Sequence, residues 1–167
     1  LYVGNDGLPR FAFSSALKVN DCFTAGVTNV KDNLWHNIVG VYEIPATGNK
    51  KCRLYVDNVL EKTDGYVASS PLGIGQDIYL GGNVYNNAAG KTLIGAKLKG
   101  WVDGLRVYNK SLNAVDVAVL FNKNGIGSEL IDIGFEEAPG VSSFVDSAGG
   151  NNALCVNGLC SRADITG

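Results

Sequence analysis

A chain of 167 residues is long enough for one domain of ordinary size, and folding can bury a real core. Hydrophobic residues at 46% and charged residues at 18% exclude a disordered chain, and 22 scattered glycines without a G-x-y period exclude collagen. A net charge of -2, a pI of about 5.3 and the lack of any basic patch make nucleic acid and anionic membrane poor partners.

Abundant Gly and Asn with few Glu and Lys predict many turns and little helix. Residues 1–4 and 8–13 read as strands flanking an Asn5-Asp6-Gly7 hairpin turn, and 22–27 as a further strand. The 34–42 run is apolar on both parities, with Trp35, Val39 and Val41 on one and Ile38 and Tyr42 on the other. That pattern predicts a strand covered on both faces, with Trp35 in the core. Residues 45–49 read as a loop. Cys52, Leu54 and Val56 alternate with Arg53 and Tyr55 as a half-buried strand, which Asp57-Asn58 turns into Val59-Leu60. Residues 77–81 read as a strand, 83–90 as a polar loop, 99–108 as a long strand and 131–135 as a further one. One helix is expected: Asn113 caps it, Asp116 approximates a capping box, Val117, Leu120 and Phe121 follow at helical spacing, and Gly125 ends it. The fold class is all-β, an antiparallel β-sandwich of jelly-roll type with one short helix.

Four cysteines allow three connectivities. Asn157-Gly158 is a strong two-residue hairpin signal, and it places Cys155 opposite Cys160 at a closely spaced non-hydrogen-bonded pair that suits a disulfide. Pairing Cys22 with Cys52 then completes the set, the two lying in strand-like segments on either side of the 34–42 run. Disulfides imply an oxidising, extracellular or cell-surface setting. No run reaches the ~18 apolar residues of a membrane span, so membrane insertion is not expected. The chain opens inside a strand-like run without Met, and is read as a piece of a longer or processed precursor.

The residues also carry a family resemblance. Leu34-Trp-His-Asn-Ile-Val-Gly-Val-Tyr42 resembles the W-H-x-V-x-x-x-Y strand of laminin G-like domains, in the concanavalin A-like lectin/glucanase fold. Cys52-Arg-Leu-Tyr-Val-Asp-Asn-Val-Leu60 is similar to that family's hairpin, with Asn58 where Gly is usual. Ile78-Tyr-Leu-Gly-Gly-Asn83 resembles a third block, and Gly100-Trp-Val-Asp-Gly-Leu-Arg-Val-Tyr-Asn109 followed by Ser111-Leu-Asn-Ala-Val-Asp-Val117 a fourth. The tail, with Ile133-Gly-Phe-Glu-Glu137 and Val145-Asp-Ser-Ala-Gly-Gly-Asn151, resembles the family's opening. The chain thus reads as the later strands of a sandwich over 1–126, followed over 127–167 by the opening segment of the same or the next module.

The apolar parity changes between Val102 and Leu105, which predicts a bulge at Asp103-Gly104 that re-aims the Asp103 carboxylate. The resemblance implies that Asp103 helps hold a structural calcium with partners among Glu136, Asp146 and Asn151, a set of hard oxygen donors. The alternative is a solvated or hydrogen-bonded Asp. Trp101 is either a sugar-stacking surface or a core residue. Asn83, Tyr85 and Asn86 supply amides and an aromatic of the kind that bind glycans, and the 47–50 loop is a second such candidate. His36 reads as a structural histidine, with no Ser or Cys motif beside it. Asn109-Lys110-Ser111 is an N-x-[ST] sequon at a strand end, a glycosylation candidate at Asn109.

No G-x-S-x-G, H-E-x-x-H, Walker loop or G-x-G-x-x-G is present, and Glu136-Glu137 cannot put both carboxylates on one strand face as the glucanase motif of this fold does. Catalysis is therefore not expected. Two functions remain: a non-catalytic extracellular module of a larger surface or adhesive protein, binding glycan or matrix, and a structural repeat that assembles head-to-tail into a filament or array by strand complementation, hinged at 125–128.

Overall fold

The computed structural model describes residues 1–13, 22–66, 83–86, 92–95, 98–122, 127, 129–135, 137, 141–149 and 152–154. The chain divides into two compact units, the first Leu1–Ile74 with Asn109–Ser128 and the second Gly75–Tyr108 with Glu129–Gly167. Each is antiparallel β-structure, and the described helix is a single short one.

The first unit holds two three-stranded sheets. β1 (Tyr2–Val3), β2 (Pro9–Phe13) and β3 (Cys22–Ala25) form one, in that order. The expected Asn5-Asp6-Gly7 hairpin is present, closed by Gly4 N–H on Leu8 O at 2.9 Å. β4 (Ile38–Glu43), β5 (Lys50–Val56) and β6 (Val59–Tyr66) form the other. Cys52, Leu54 and Val56 are buried as expected and form the core with Val41 and Cys22, but the half-buried alternation is corrected at Tyr55, which is buried too, so Leu54–Val56 is covered on both faces. The sheets face each other through this set. A Cys22–Cys52 disulfide joins them, with Cα atoms 6.0 Å apart. Phe11 packs on Gly40, where a Cβ would come within 2.5 Å of the ring, so β4 needs Gly there for β2 to approach.

The β5–β6 connection is a two-residue hairpin. Asp57 and Asn58 have φ of 48° and 66°, the left-handed pair that a type I′ turn requires and that Asp and Asn tolerate best after Gly. α1 (Ala114–Phe121) starts as expected: Asn113 Oδ1 accepts from Val115 N and Asp116 N at 2.8 and 3.0 Å, and Asp116 Oδ2 accepts from Asn113 N at 3.0 Å. Val117 and Leu120 are its buried residues, with Leu112 buried just ahead of it.

In the second unit β7 (Asn83–Asn86) pairs with β8 (Thr92–Gly95), β9 (Leu105–Tyr108) with β10 (Glu129–Ile133), and β11 (Ser143–Phe144) with β12 (Ala153–Leu154). Ile133 and Phe144 are buried, and Phe135 meets Phe144 edge-on at 5.0 Å between ring centroids. In the β9–β10 ladder Leu105 pairs with Ile133, Arg106 with Asp132 and Val107 with Ile131.

Several expectations are corrected. β3 stops at Ala25 because Val27 and Thr28 turn their N–H groups to the Glu61 carboxylate, at 2.8 and 3.1 Å. The 34–42 strand begins only at Ile38, so Trp35 is not a core residue. The cause is local: Asn33 is left-handed at φ 67°, and Asp32 Oδ1 accepts from Leu34 N at 3.0 Å, which turns the chain instead of extending it. The start of the supposed polar loop, Asn83–Asn86, is β7. The 99–108 strand is ordered as strand only over Leu105–Tyr108, because Gly104 at φ +60° breaks the extended backbone. The 131–135 strand is shifted to Glu129–Ile133. α1 ends at Phe121, and Asn122 caps it through Ala118 O, ahead of Gly125. The Cys155/Cys160 hairpin, the 77–81 strand, Glu136 and Asn151 lie outside the described residues.

Candidate functional site

Two exposed tryptophans mark the candidate surfaces, one in each unit. In the first unit Trp35 is 59% exposed and its neighbour Leu34 71%. Both sit in the loop before β4, and that loop is fastened at several points. Asp32 holds the Leu34 N–H. His36 lies between two carboxylates, with Nδ1 2.7 Å from Asp57 Oδ2 and Nε2 3.0 Å from Asp32 Oδ1. Asp57 Oδ1 accepts from Asn37 N at 2.8 Å, and Asp57 N donates to Asn37 O at 2.9 Å. The hairpin turn thus grips the loop through both backbone and side chain. Upstream, Asn29 Oδ1 accepts from Lys31 N, and Lys31 Nζ donates to Asn5 O at 3.0 Å. The bonds to Asp57 and Asp32 raise the His36 pKa above its ordinary value and outweigh its partial burial. The bond from His36, then that from Leu34 N–H, hold the Asp32 carboxyl below its usual range.

In the second unit Trp101 is 58% exposed, beside exposed Val102 and Asp103. Trp101 is therefore a surface residue. Asn83, Tyr85 and Asn86 lie on β7, where the structure describes the backbone ladder with Thr92–Gly95. Asp146 is 5% exposed, and its Oδ1 accepts from Asp132 N at 2.8 Å and Ala148 N at 2.9 Å. Asp146 N in turn donates to Asn152 Oδ1, and Ser147 N and Oγ to Asp132 O. That oxygen of Asp146 organises the turn after β11. Among the described residues no group of three His, Cys, Asp or Glu could hold a metal ion. Tyr108 donates to Glu129 Oε1 at 3.4 Å; burial first, then Glu129, pushes its phenol up to about 12. Asn109 is exposed between β9 and α1, as its sequon needs.

Sequence reasoning missed the Asp32–His36–Asp57 cluster. The signal lay in the strand register: Ile38 pairs with Val56, so the residues before Ile38 must lie beside Asp57 in the turn. Pairing the W-H strand with the following hairpin would have exposed it.

Residues 1–118 match the laminin G-like family model of the concanavalin A-like lectin/glucanases superfamily. The chain belongs to this superfamily. Its laminin G-like members are often non-catalytic carbohydrate- or matrix-binding modules. No curated protein and no solved structure matches the chain. None of its described helices is long and apolar enough to cross a membrane.

Proposed function

We propose that this chain is a non-catalytic extracellular module that binds glycan or matrix polymer, with the indoles of Trp101 and Trp35 as stacking surfaces. The observation that carries the reading is the exposure of both tryptophans, 58% and 59%, in a chain large enough to bury them. An exposed indole offers a wide, flat, rigid face at low entropic cost, the surface a sugar ring needs. The superfamily and the Cys22–Cys52 disulfide support an extracellular setting. A screen of the full chain against immobilised glycans and matrix polymers tests the proposal. Saturable binding that weakens in W35A or W101A supports it, and no binding to either class contradicts it.

Calcium belongs to the same proposal. Asp103 and Asp146 lie in one unit, and carboxylates are hard donors of the kind calcium takes. Metal bound only by the folded state raises the melting temperature, so a chelator should lower it. Glycan on Asn109 is proposed on its exposure, and a glycosidase-sensitive mass checks it.

A further inference from the structure

His36 is placed where a change of one proton alters a connection between two segments. Its side chain is 11% exposed and spans from Asp32, in the loop, to Asp57, in the β5–β6 turn. Both ring nitrogens face carboxylate oxygens, at 2.7 and 3.0 Å. Imidazolium has two N–H groups and donates to both. Neutral imidazole has one, so its other nitrogen must turn a lone pair towards a carboxylate. We propose that Asp32, His36 and Asp57 form a protonation-controlled clamp that locks the loop presenting Leu34 and Trp35 and releases its Asp32 end when His36 loses its proton.

The clamp goes beyond glycan binding and does not depend on it. Asp57 is the side that should persist: its bond is the shorter, and its second oxygen is anchored by Asn37 N–H. Asp32 is 40% exposed and is held to the imidazole by the longer bond. Release there leaves the Asn37–Asp57 and Leu34–Asp32 bonds in place but removes the tie between the Asp32 end of the loop and the His36 ring, so the stretch that carries the indole is fastened to the β5–β6 turn at its Asn37 end only. The other described charges nearby are committed elsewhere. Lys31 Nζ donates to Asn5 O, and Glu61 on β6 accepts from Val27 and Thr28. The carboxylates facing the ring are thus Asp32 from its own loop and Asp57 from the packed turn. Both favour the charged ring, which places its pKa above the ordinary 6.5, and the ring in turn lowers that of Asp32. The clamp is therefore complete above the carboxylate range and below the folded His36 pKa. It opens as pH rises through that upper value.

The test uses the full chain carrying W101F, which leaves Trp35 as the sole indole. The His36 ring resonances and the Trp35 fluorescence anisotropy are followed together from pH 5 to pH 9. His36 should titrate above pH 6.5, and the anisotropy should fall with the same midpoint. In W101F/D32N the fall should vanish and the anisotropy should stay low throughout, while His36 still titrates above 6.5 through Asp57. In W101F/H36Q the pH step should be lost. D32N removes an exposed carboxylate, so the proposal stays testable if H36Q fails to fold. A His36 midpoint at or below 6.5, or a Trp35 signal flat through the His36 titration, overturns it.

Discussion

Trp35 and Trp101 are exposed to the same degree, yet the chain presents them by different means. Trp35 stands on a loop tied by Asp32 to its own backbone and by His36 and Asn37 to the β5–β6 turn. Trp101 stands on an irregular stretch that becomes strand only after the left-handed Gly104. The first indole is preorganised by side chains that accept backbone N–H groups. The second stands in a stretch without strand assignment, ahead of β9. A preorganised surface loses less entropy when a ligand is bound, so Trp35 should be the more selective of the two for ligand shape.

The largest way to break the contrast is to weaken the frame that carries Trp35. The Cys22–Cys52 bridge spans 30 residues of sequence, and the chain-entropy relation gives such a crosslink about 3–4 kcal/mol. C22A/C52A should lose stability of that order in urea unfolding, whereas a loss under ~1 kcal/mol would show that the sheets hold without it. G40A comes next. Its Cβ would meet the Phe11 ring at 2.5 Å, and overpacking of that kind costs roughly 1–3 kcal/mol. The same urea experiment reads it. Smaller still is the removal of the helix cap by N113A, expected to cost about 1 kcal/mol because two N–H groups of the first turn lose their acceptor. This change should leave the Trp35 loop as it is.

The His36 contribution to stability has a definite sign. A histidine whose folded pKa is raised stabilises fully below its unfolded value near 6.5 and loses that contribution as pH rises through the folded pKa. Asp32 acts in the opposite sense at acid pH: its stabilisation is present above the unfolded carboxyl value of 3.8 and is lost as pH falls through its lowered folded pKa.

Local rules were legible from the amino-acid order, and of the long-range ones the Cys22–Cys52 pairing was, whereas the β4–β5 register was not. The Asp57-Asn58 turn, the Asn113–Asp116 box and the buried parity of Cys52, Leu54 and Val56 each depend on residues a few positions apart. The Cys22–Cys52 pairing was reached from the order of strand-like segments. Trp35 misled because its parity matched Val39 and Val41, while the turn that excludes it from the strand rests on Asp32 and Asn33, residues that a hydrophobic pattern ignores. The His36 clamp needed the register of β4 on β5, a non-local fact. Gly104 was the converse case: the change of parity around it was read as a bulge within a strand, whereas the left-handed glycine precedes the strand, which starts at Leu105, and the irregularity of the β9–β10 ladder lies between Glu129 and Ile131.

The central claim is that exposed indoles form the binding surface, and tryptophan fluorescence reads it directly. W101F and W35F, each keeping one indole, should be titrated with an oligosaccharide or matrix fragment that binds the parent chain. A saturable change in the emission of Trp35, of Trp101 or of both, with the affinity measured independently, is the predicted result. Unchanged emission from both indoles at saturating ligand would place the binding surface elsewhere and contradict the account.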